Sequence, residues 1–333
     1  MSGAEPFGRR LLAAGLDVGG TKTSLVVCDD DDRLLLHSVV ATEHGDLTAQ
    51  LIGLVQQAAA HLAAQGDRLA AVGVAVPGRV HPIDGTLALA VNLGAPALPV
   101  AELIESATGL PCFVEHDARA AAAWLRSNPA DGPHYLAYLS VGTGISAGVV
   151  LDGRLLRGVG GLAGEVGHVL AQPGGPRCSC GLDGCLEAVA AGPAIARQAS
   201  EALHAGRSSS LLAGATAADV FRAAGEGDLV ATEIAAAAAA HLARAVRALV
   251  LGFGVERVVV GGGVAAAGAL LLDRVNAHIE LERRASALVE AAFATTVVEV
   301  LPPDTEAGAR GAAAIALAGA RTRAGQREGV GSP

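Results

Sequence analysis

Aromatic side chains and lysines are nearly missing from this sequence. Trp, Tyr and Phe make up 2% of its 333 residues, and Lys22 is the sole lysine among 24 basic residues. Ala, Val and Leu supply most of the apolar half of the chain, so the bias reflects GC-rich coding rather than a function. Positive charge is short as well. A formal net charge of -9 argues against sequence-independent binding to nucleic acid, whose phosphates would be repelled. An anionic nucleotide fits such a chain only where local donors overcome the global field. No run reaches the ~18 uninterrupted apolar residues of a membrane span. The nearest, residues 229–251, carries Glu233, His241, Arg244 and Arg247 at roughly helical spacing and reads as a soluble amphipathic helix. Glu5 and Pro6 precede only a short apolar run before Asp17, so no secretory leader is expected. Cys28 and Cys112 each lie in an apolar run and read as reduced core thiols, which points to the cytoplasm.

What is present is glycine at strand ends. The apolar stretch from Leu11 to Val18 ends in D-V-G-G-T-K-T, and a strand resumes from Ser24 to Cys28. Gly19 and Gly20 let backbone N–H groups approach a phosphate closely, although a plain hairpin turn also calls for glycine. Thr21 and Thr23 add hydroxyl donors. The P-loop pattern is not matched. The same design recurs from Tyr135, where a strand ends in S-V-G-T-G-I-S-A-G. Aligning Asp17 with Ser140 sets Gly19 opposite Gly142 and Asp29 opposite Asp152, so the chain reads as a duplication with two glycine-rich turns suited to gripping a polyphosphate. Asp17 has no carboxylate counterpart in the second copy and is the expected Mg²⁺ anchor, with turn capping as its alternative role. A third glycine turn, Gly261-Gly262-Gly263, follows the strand from Val255 and could receive a nucleotide's adenosine end.

The chemistry-bearing stretch runs from Gly164 to Glu187. Cys178, Cys180 and Cys185 are separated by small residues, and His168 is the nearest imidazole, a set suited to one tetrahedral zinc. A disulfide with one thiol left over is the alternative. Glu165 and Glu187 bracket the cluster. Elsewhere, helices are expected over 46–65, 100–108, 118–126, 193–206, 217–224, 229–251 and 307–320, and strands over 70–76, 111–114, 255–260 and 297–301. Asp117 stands where a strand feeds a helix N-terminus, a common place for a reactive carboxylate and equally for an N-cap.

G-E-V-G-H followed by C-S-C-G-L-D-G-C-L-E resembles the signature of the ROK family of bacterial sugar kinases, amino-sugar kinases and sugar-responsive repressors, and the other landmarks follow in family order. The resemblance implies an α/β, two-lobed actin-like and hexokinase-like ATPase, built from duplicated ribonuclease H-like domains with a cleft between the lobes. It implies a small domain over 1–116 joined by a C-terminal helix at about 305–322 and a large domain over 117–304; the polar composition of the last residues makes 323–333 an expected disordered tail. Asp17, Gly19, Gly20, Thr21 and Lys22 would form the first phosphate motif, Gly142, Thr143 and Gly144 the second, and Gly261, Gly262 and Gly263 the adenosine motif. Asp117 would be the general base, with Asn92, His116, Asp117, Glu165, His168 and Glu187 binding the sugar. His168, Cys178, Cys180 and Cys185 would hold a structural Zn²⁺. Implied substrates are ATP with Mg²⁺ and a hexose, glucose first, with N-acetylmannosamine, N-acetylglucosamine and fructose as alternatives. A homodimer or homotetramer is the expected assembly.

In one place the chain departs from the family pattern. Where the kinases usually read E-N-D-A-N-A, it reads E-H-D-A-R-A over 115–120, so His116 and Arg119 stand where two asparagines are usual. The repressors carry a DNA-binding domain before the first phosphate motif. Only 16 residues precede Asp17, and a regulator is therefore not expected. A sugar-binding scaffold without turnover is the other non-enzyme expectation.

Overall fold

The computed structural model describes residues 10–43, 45–81, 84–89, 97–127 and 134–329. The chain divides into two units, one of Met1–Ala130, Arg157–Leu162 and Glu306–Pro333, the other of Asp131–Leu156 and Ala163–Thr305. The first opens with an antiparallel meander of β1 (Leu12–Val18), β2 (Lys22–Asp29) and β3 (Leu34–Ala41). After α1 (Leu47–Ala63), strand β4 (Leu69–Val76) pairs in parallel with β1. A small ribbon of β5 (Arg79–Val80) and β6 (Leu87–Leu89) and then α2 (Val100–Thr108) precede β7 (Cys112–His116), which pairs in parallel with β4 and runs directly into α3 (Asp117–Ser127). The sheet order is β3-β2-β1-β4-β7.

One face of this sheet is covered by α1. Asp46 caps that helix by accepting from the Ala49 N–H, and Leu47, Leu51, Leu54, Val55, Ala58 and Leu62 recur at helical spacing and bury with Leu16, Val72 and Val74. Each fully buried leucine contributes about 2 kcal/mol.

The second unit repeats the plan. Strands β8 (Leu136–Val141), β9 (Ile145–Leu151) and β10 (Arg154–Leu155) make the meander. Next come α4 (Leu186–Ala190), α5 (Gly192–His204), α6 (Ala217–Gly225) and α7 (Leu229–Phe253). Parallel strand β11 (Arg257–Gly261), α8 (Ala269–Ala285), α9 (Ala287–Phe293) and parallel strand β12 (Val297–Val300) complete it, in the order β10-β9-β8-β11-β12. By length and composition α7 could cross a membrane. Here Val230, Ile234, Leu242, Val246 and Leu249 bury it in the apolar core of this unit.

The last helix, α10 (Ala307–Gly329), returns to the first unit and covers the face opposite α1. It can lie so close because the strands beneath it are bare. A Cβ on Gly15 would strike the Ala309 carbonyl, one on Gly73 the Ala312 carbonyl, and one on Gly311 the Ala120 carbonyl of α3. The contact units group the chain differently from the expected boundary after His116. Because α3 packs under α10 it belongs to the first unit, and the division falls after Ala130. The helix also continues to Gly329, past the expected start of a tail at 323. Strand β3 was not expected: His37 and Ser38 split its apolar residues into 34–36 and 39–41, and none of its residues is buried.

Candidate active site

In the first unit, β1 and β2 are joined by Gly19, Gly20 and Thr21. The Gly19 N–H bonds the Lys22 carbonyl at 2.9 Å, closing a tight turn whose Thr21 and Lys22 side chains face solvent. Thr23 was expected to add a donor here. It is fully buried, and its hydroxyl bonds that of Thr42 at 3.0 Å, so it braces the turn instead. Asp17 is the next-to-last residue of β1, opposite Ser24 and beside Ala75 of β4. Burial first, then the Asp117 and Glu306 carboxylates, push its pKa up to about 7 against the opposing pull of Lys22. A cation would relieve that repulsion, so the donor set fits Mg²⁺. The first turn of α10 approaches closely enough that any Cβ on Gly308 would strike the Asp17 carboxylate.

Asp117 is the first residue of α3. Its Oδ1 accepts from the Ala118 N–H at 2.6 Å, and its side chain keeps 32% exposure. His116, at the end of β7, is buried with Nδ1 3.1 Å from Asp117 Oδ1. Arg119 is 1% exposed and donates to Glu115 Oε1 at 2.7 Å and to the Gly161 carbonyl at 3.1 Å. Burial would raise the Glu115 pKa, but Arg119 and Arg157 hold it below the usual carboxylate range. Asn92 lies outside the described residues.

In the second unit, the turn at Gly142, Thr143 and Gly144 lies beside the turn at Gly261, Gly262 and Gly263. A Cβ on Gly142 would sit 3.6 Å from the Gly263 nitrogen, and one on Gly262 would be 2.6 Å from the Val141 carbonyl. Gly192 was missed by the sequence reading and joins them, its N–H bonding the Gly142 carbonyl at 2.8 Å. The sequence signal was Gly192-Pro193 opening a helix. Glu187 in α4 accepts from the Ile145 N–H at 3.0 Å and from the Ser179 hydroxyl at 3.3 Å.

The cysteine segment folds around His168. One ligand atom each from His168, Cys178, Cys180 and Cys185 lies within 4.8 Å of all the others, and all five cysteines of the chain are reduced. Zinc bonds of about 2.3 Å to sulfur and 2.05 Å to nitrogen set tetrahedral neighbours about 3.8 Å and 3.6 Å apart. The Cys180–Cys185 sulfurs are 3.6 Å apart and Cys178 Sγ is 3.6 Å from His168 Nδ1, so the residues fit that ion. Burial and the neighbouring thiols push Cys185 up to about 12, the strain a metal cation relieves. Gly184 lets the segment close, since a Cβ there would strike the Gln172 carbonyl. With Nδ1 on the cysteine side, His168 Nε2 lies 4.0 Å from Glu165 Oε2.

The model of the ROK family matches residues 13–318. This chain belongs to the ROK family. It is 33% identical to a glucokinase of Halalkalibacterium halodurans over 80% of this chain and 84% of that one. It is 35% identical to an N-acetylmannosamine kinase of Escherichia coli over 75% and 82%. A ROK family glucokinase from Streptomyces griseus, solved in complex with glucose and AMPPNP, superposes with a TM-score of 0.77 at 29% identity, covering 92% and 99% of the two chains. The expected two-lobed, hexokinase-like α/β fold of the family is thus the fold of this chain.

Proposed function

We propose that this ROK protein is an ATP-dependent hexose kinase that transfers the γ-phosphoryl group to a sugar hydroxyl, the 6-OH of glucose being the leading substrate. The observation that carries the proposal is Asp117, a partly exposed carboxylate held at the β7–α3 corner by the Ala118 N–H, with His116 Nδ1 3.1 Å from its Oδ1. In that position it accepts the proton of the attacking hydroxyl. Glucose leads because two of the similar proteins are glucokinases, and N-acetylmannosamine follows on the name of the third.

The remaining roles are proposed residue by residue. The backbone amides at Gly19, Gly20 and Thr21, with Lys22, receive phosphate oxygens, as do Gly142, Thr143 and Gly144. Exposed Gly262 and Gly263, beside Gly261, leave bare backbone for the adenosine end. Asp17 anchors Mg²⁺, which when bound neutralises phosphate charge. Asn92, His116, Glu165, His168 and Glu187 read the other hydroxyls, and zinc on His168, Cys178, Cys180 and Cys185 stiffens the segment that presents them. Closed by four protein ligands, that zinc is structural. The expectations of a cytoplasmic homodimer or homotetramer that binds neither nucleic acid nor membrane are kept as part of this proposal.

ADP release with Mg-ATP tests it, using glucose, fructose, mannose, N-acetylglucosamine and N-acetylmannosamine, with Asp117→Asn as the control. Turnover on one sugar is expected, with a loss of about 10²–10⁴-fold in the variant at unchanged melting temperature. Near-normal turnover by Asp117→Asn sinks the base assignment, and silence across the panel with ATP still binding favours a sugar-binding scaffold.

A further inference from the structure

The segment 157–162 belongs to the first unit, although the chain on either side of it belongs to the second. It is tied down from several directions. Arg157 Nε donates to Glu115 Oε2 at 2.7 Å, and Arg119 donates to the other Glu115 oxygen and to the Gly161 carbonyl. Arg79 Nε donates to the Gly160 carbonyl at 3.0 Å. Gly160 and Gly161 have φ of 68° and 74°, and a Cβ on Gly161 would strike the Val80 carbonyl, so this strap lies flat on the β5 backbone. Three residues later Gly164 is pinned in the second unit, where its carbonyl accepts from Ala147 N–H at 2.7 Å and a Cβ would strike the Ala147 carbonyl. Glu165 comes next.

We infer that Arg119 and Arg157, joined through Glu115, clamp this strap and thereby position Glu165 and His168 for the sugar. The inference rests on the proposed sugar-binding role of those two residues. It also gives Arg119 a function at the position where the family's usual motif has asparagine. A buried guanidinium supplies several donors in a fixed fork, so one side chain can satisfy a carboxylate and a strap carbonyl together. An amide is too short to do both. Arg119 and Arg157 are positioning residues: they act on the sugar through the strap, and the nucleotide's glycine turns are left alone.

Arg157→Met is the decisive variant because Glu115 keeps Arg119 as its partner and no buried charge is orphaned. On wild-type protein and on Arg157→Met, Arg119→Met and Arg119→Lys, KM for sugar and for ATP, melting temperature, and hydrogen exchange over 157–168 would be measured. Sugar KM is expected to rise on the order of tenfold in Arg157→Met and further in Arg119→Met, with ATP KM within about twofold. Arg119→Lys should recover part of the loss, and exchange should quicken in the strap of each variant. An unchanged sugar KM in Arg157→Met, or sugar and ATP KM rising together, overturns the clamp while leaving the kinase proposal standing. Should Asp117→Asn prove active, the base assignment falls by itself. Sugar affinity of the clamp variants, measured by calorimetry without turnover, then decides the clamp.

Discussion

The two sheets have the same strand order and the same glycine-turn hairpin, yet they differ at the next-to-last residue of the central strand. In the first unit it is Asp17, paired with Ser24 of β2 and Ala75 of β4. In the second it is Ser140, paired with Ser146 of β9 and Gly261 of β11. The carboxylate sits among other acids, whereas the hydroxyl sits beside a bare glycine turn. The two sheets thus carry matching glycine turns, and under the proposed roles the difference at these matching positions separates a metal-binding carboxylate from a bare nucleotide-facing turn. The first unit holds the clustered carboxylates, and the second holds the open backbone of its glycine turns and the His/Cys cluster suited to a metal.

Asp17→Ser, which makes the first turn like the second, is expected to have the largest effect. Turnover should fall at least a hundredfold if Asp17 anchors the metal. The same change should stabilise the ligand-free protein. A carboxyl that folding raises from 3.8 to about 7 keeps its proton in the folded state after the unfolded chain has released it. Its cost to stability is therefore absent below 3.8, grows as pH rises, and is complete above about 7. Thermal melts should show a higher melting temperature for the variant at about pH 8 and no difference near pH 3.5. A variant less stable than wild type at pH 8 would show that Asp17 is satisfied in the fold and that the repulsion is unimportant.

How much of this asymmetry could be read beforehand depended on sequence distance. Both hairpins were legible because an apolar run, a glycine pair and a second apolar run are local signals. So was the cysteine segment, whose ligands span 18 residues. The strap was not legible, because R-G-V-G-G-L carries no sign that Gly161 meets Val80 and Arg119. Nor was the place of α3, which depends on α10 nearly 200 residues later. Arg119 was read as a lost amide. The visible clue to its real partner was Glu115 four residues earlier, the spacing of a helical ion pair carried across the strand–helix corner. Thr21 and Lys22 lie exposed on the turn, while Thr23 faces the other way because side chains alternate along β2.

The His/Cys segment, with its proposed zinc, sharpens the comparison at an intermediate scale. Cys180→Ser removes one of four ligands while leaving the first unit untouched. Zinc content is expected to drop from one per chain to a small fraction, and exchange over 163–187 should quicken while 12–43 stays protected. Sugar KM should rise with ATP KM little changed. Carefully purified wild-type protein without zinc, or a variant retaining it fully, would remove the metal from the account.

The smallest expected effect on turnover, and the clearest contrast in stability, comes from two glycines with opposite surroundings. Gly73 lies under α10, where an added Cβ meets the Ala312 carbonyl, Cα and carbonyl carbon, all of them backbone. Gly263 has nothing within 4 Å of the same added atom and its φ lies outside the left-handed range. Gly73→Ala must push the helix off the sheet and should cost about 2 kcal/mol or more, a fall of several degrees in melting temperature. Gly263→Ala should leave stability within about 0.5 kcal/mol and raise the KM for ATP a few-fold, because the added methyl occupies space assigned to the nucleotide. The two glycines thus separate packing from recognition. If Gly263→Ala melted early with ATP KM unchanged, its turn would serve the fold, and the division of labour between the two units would lose its nucleotide half.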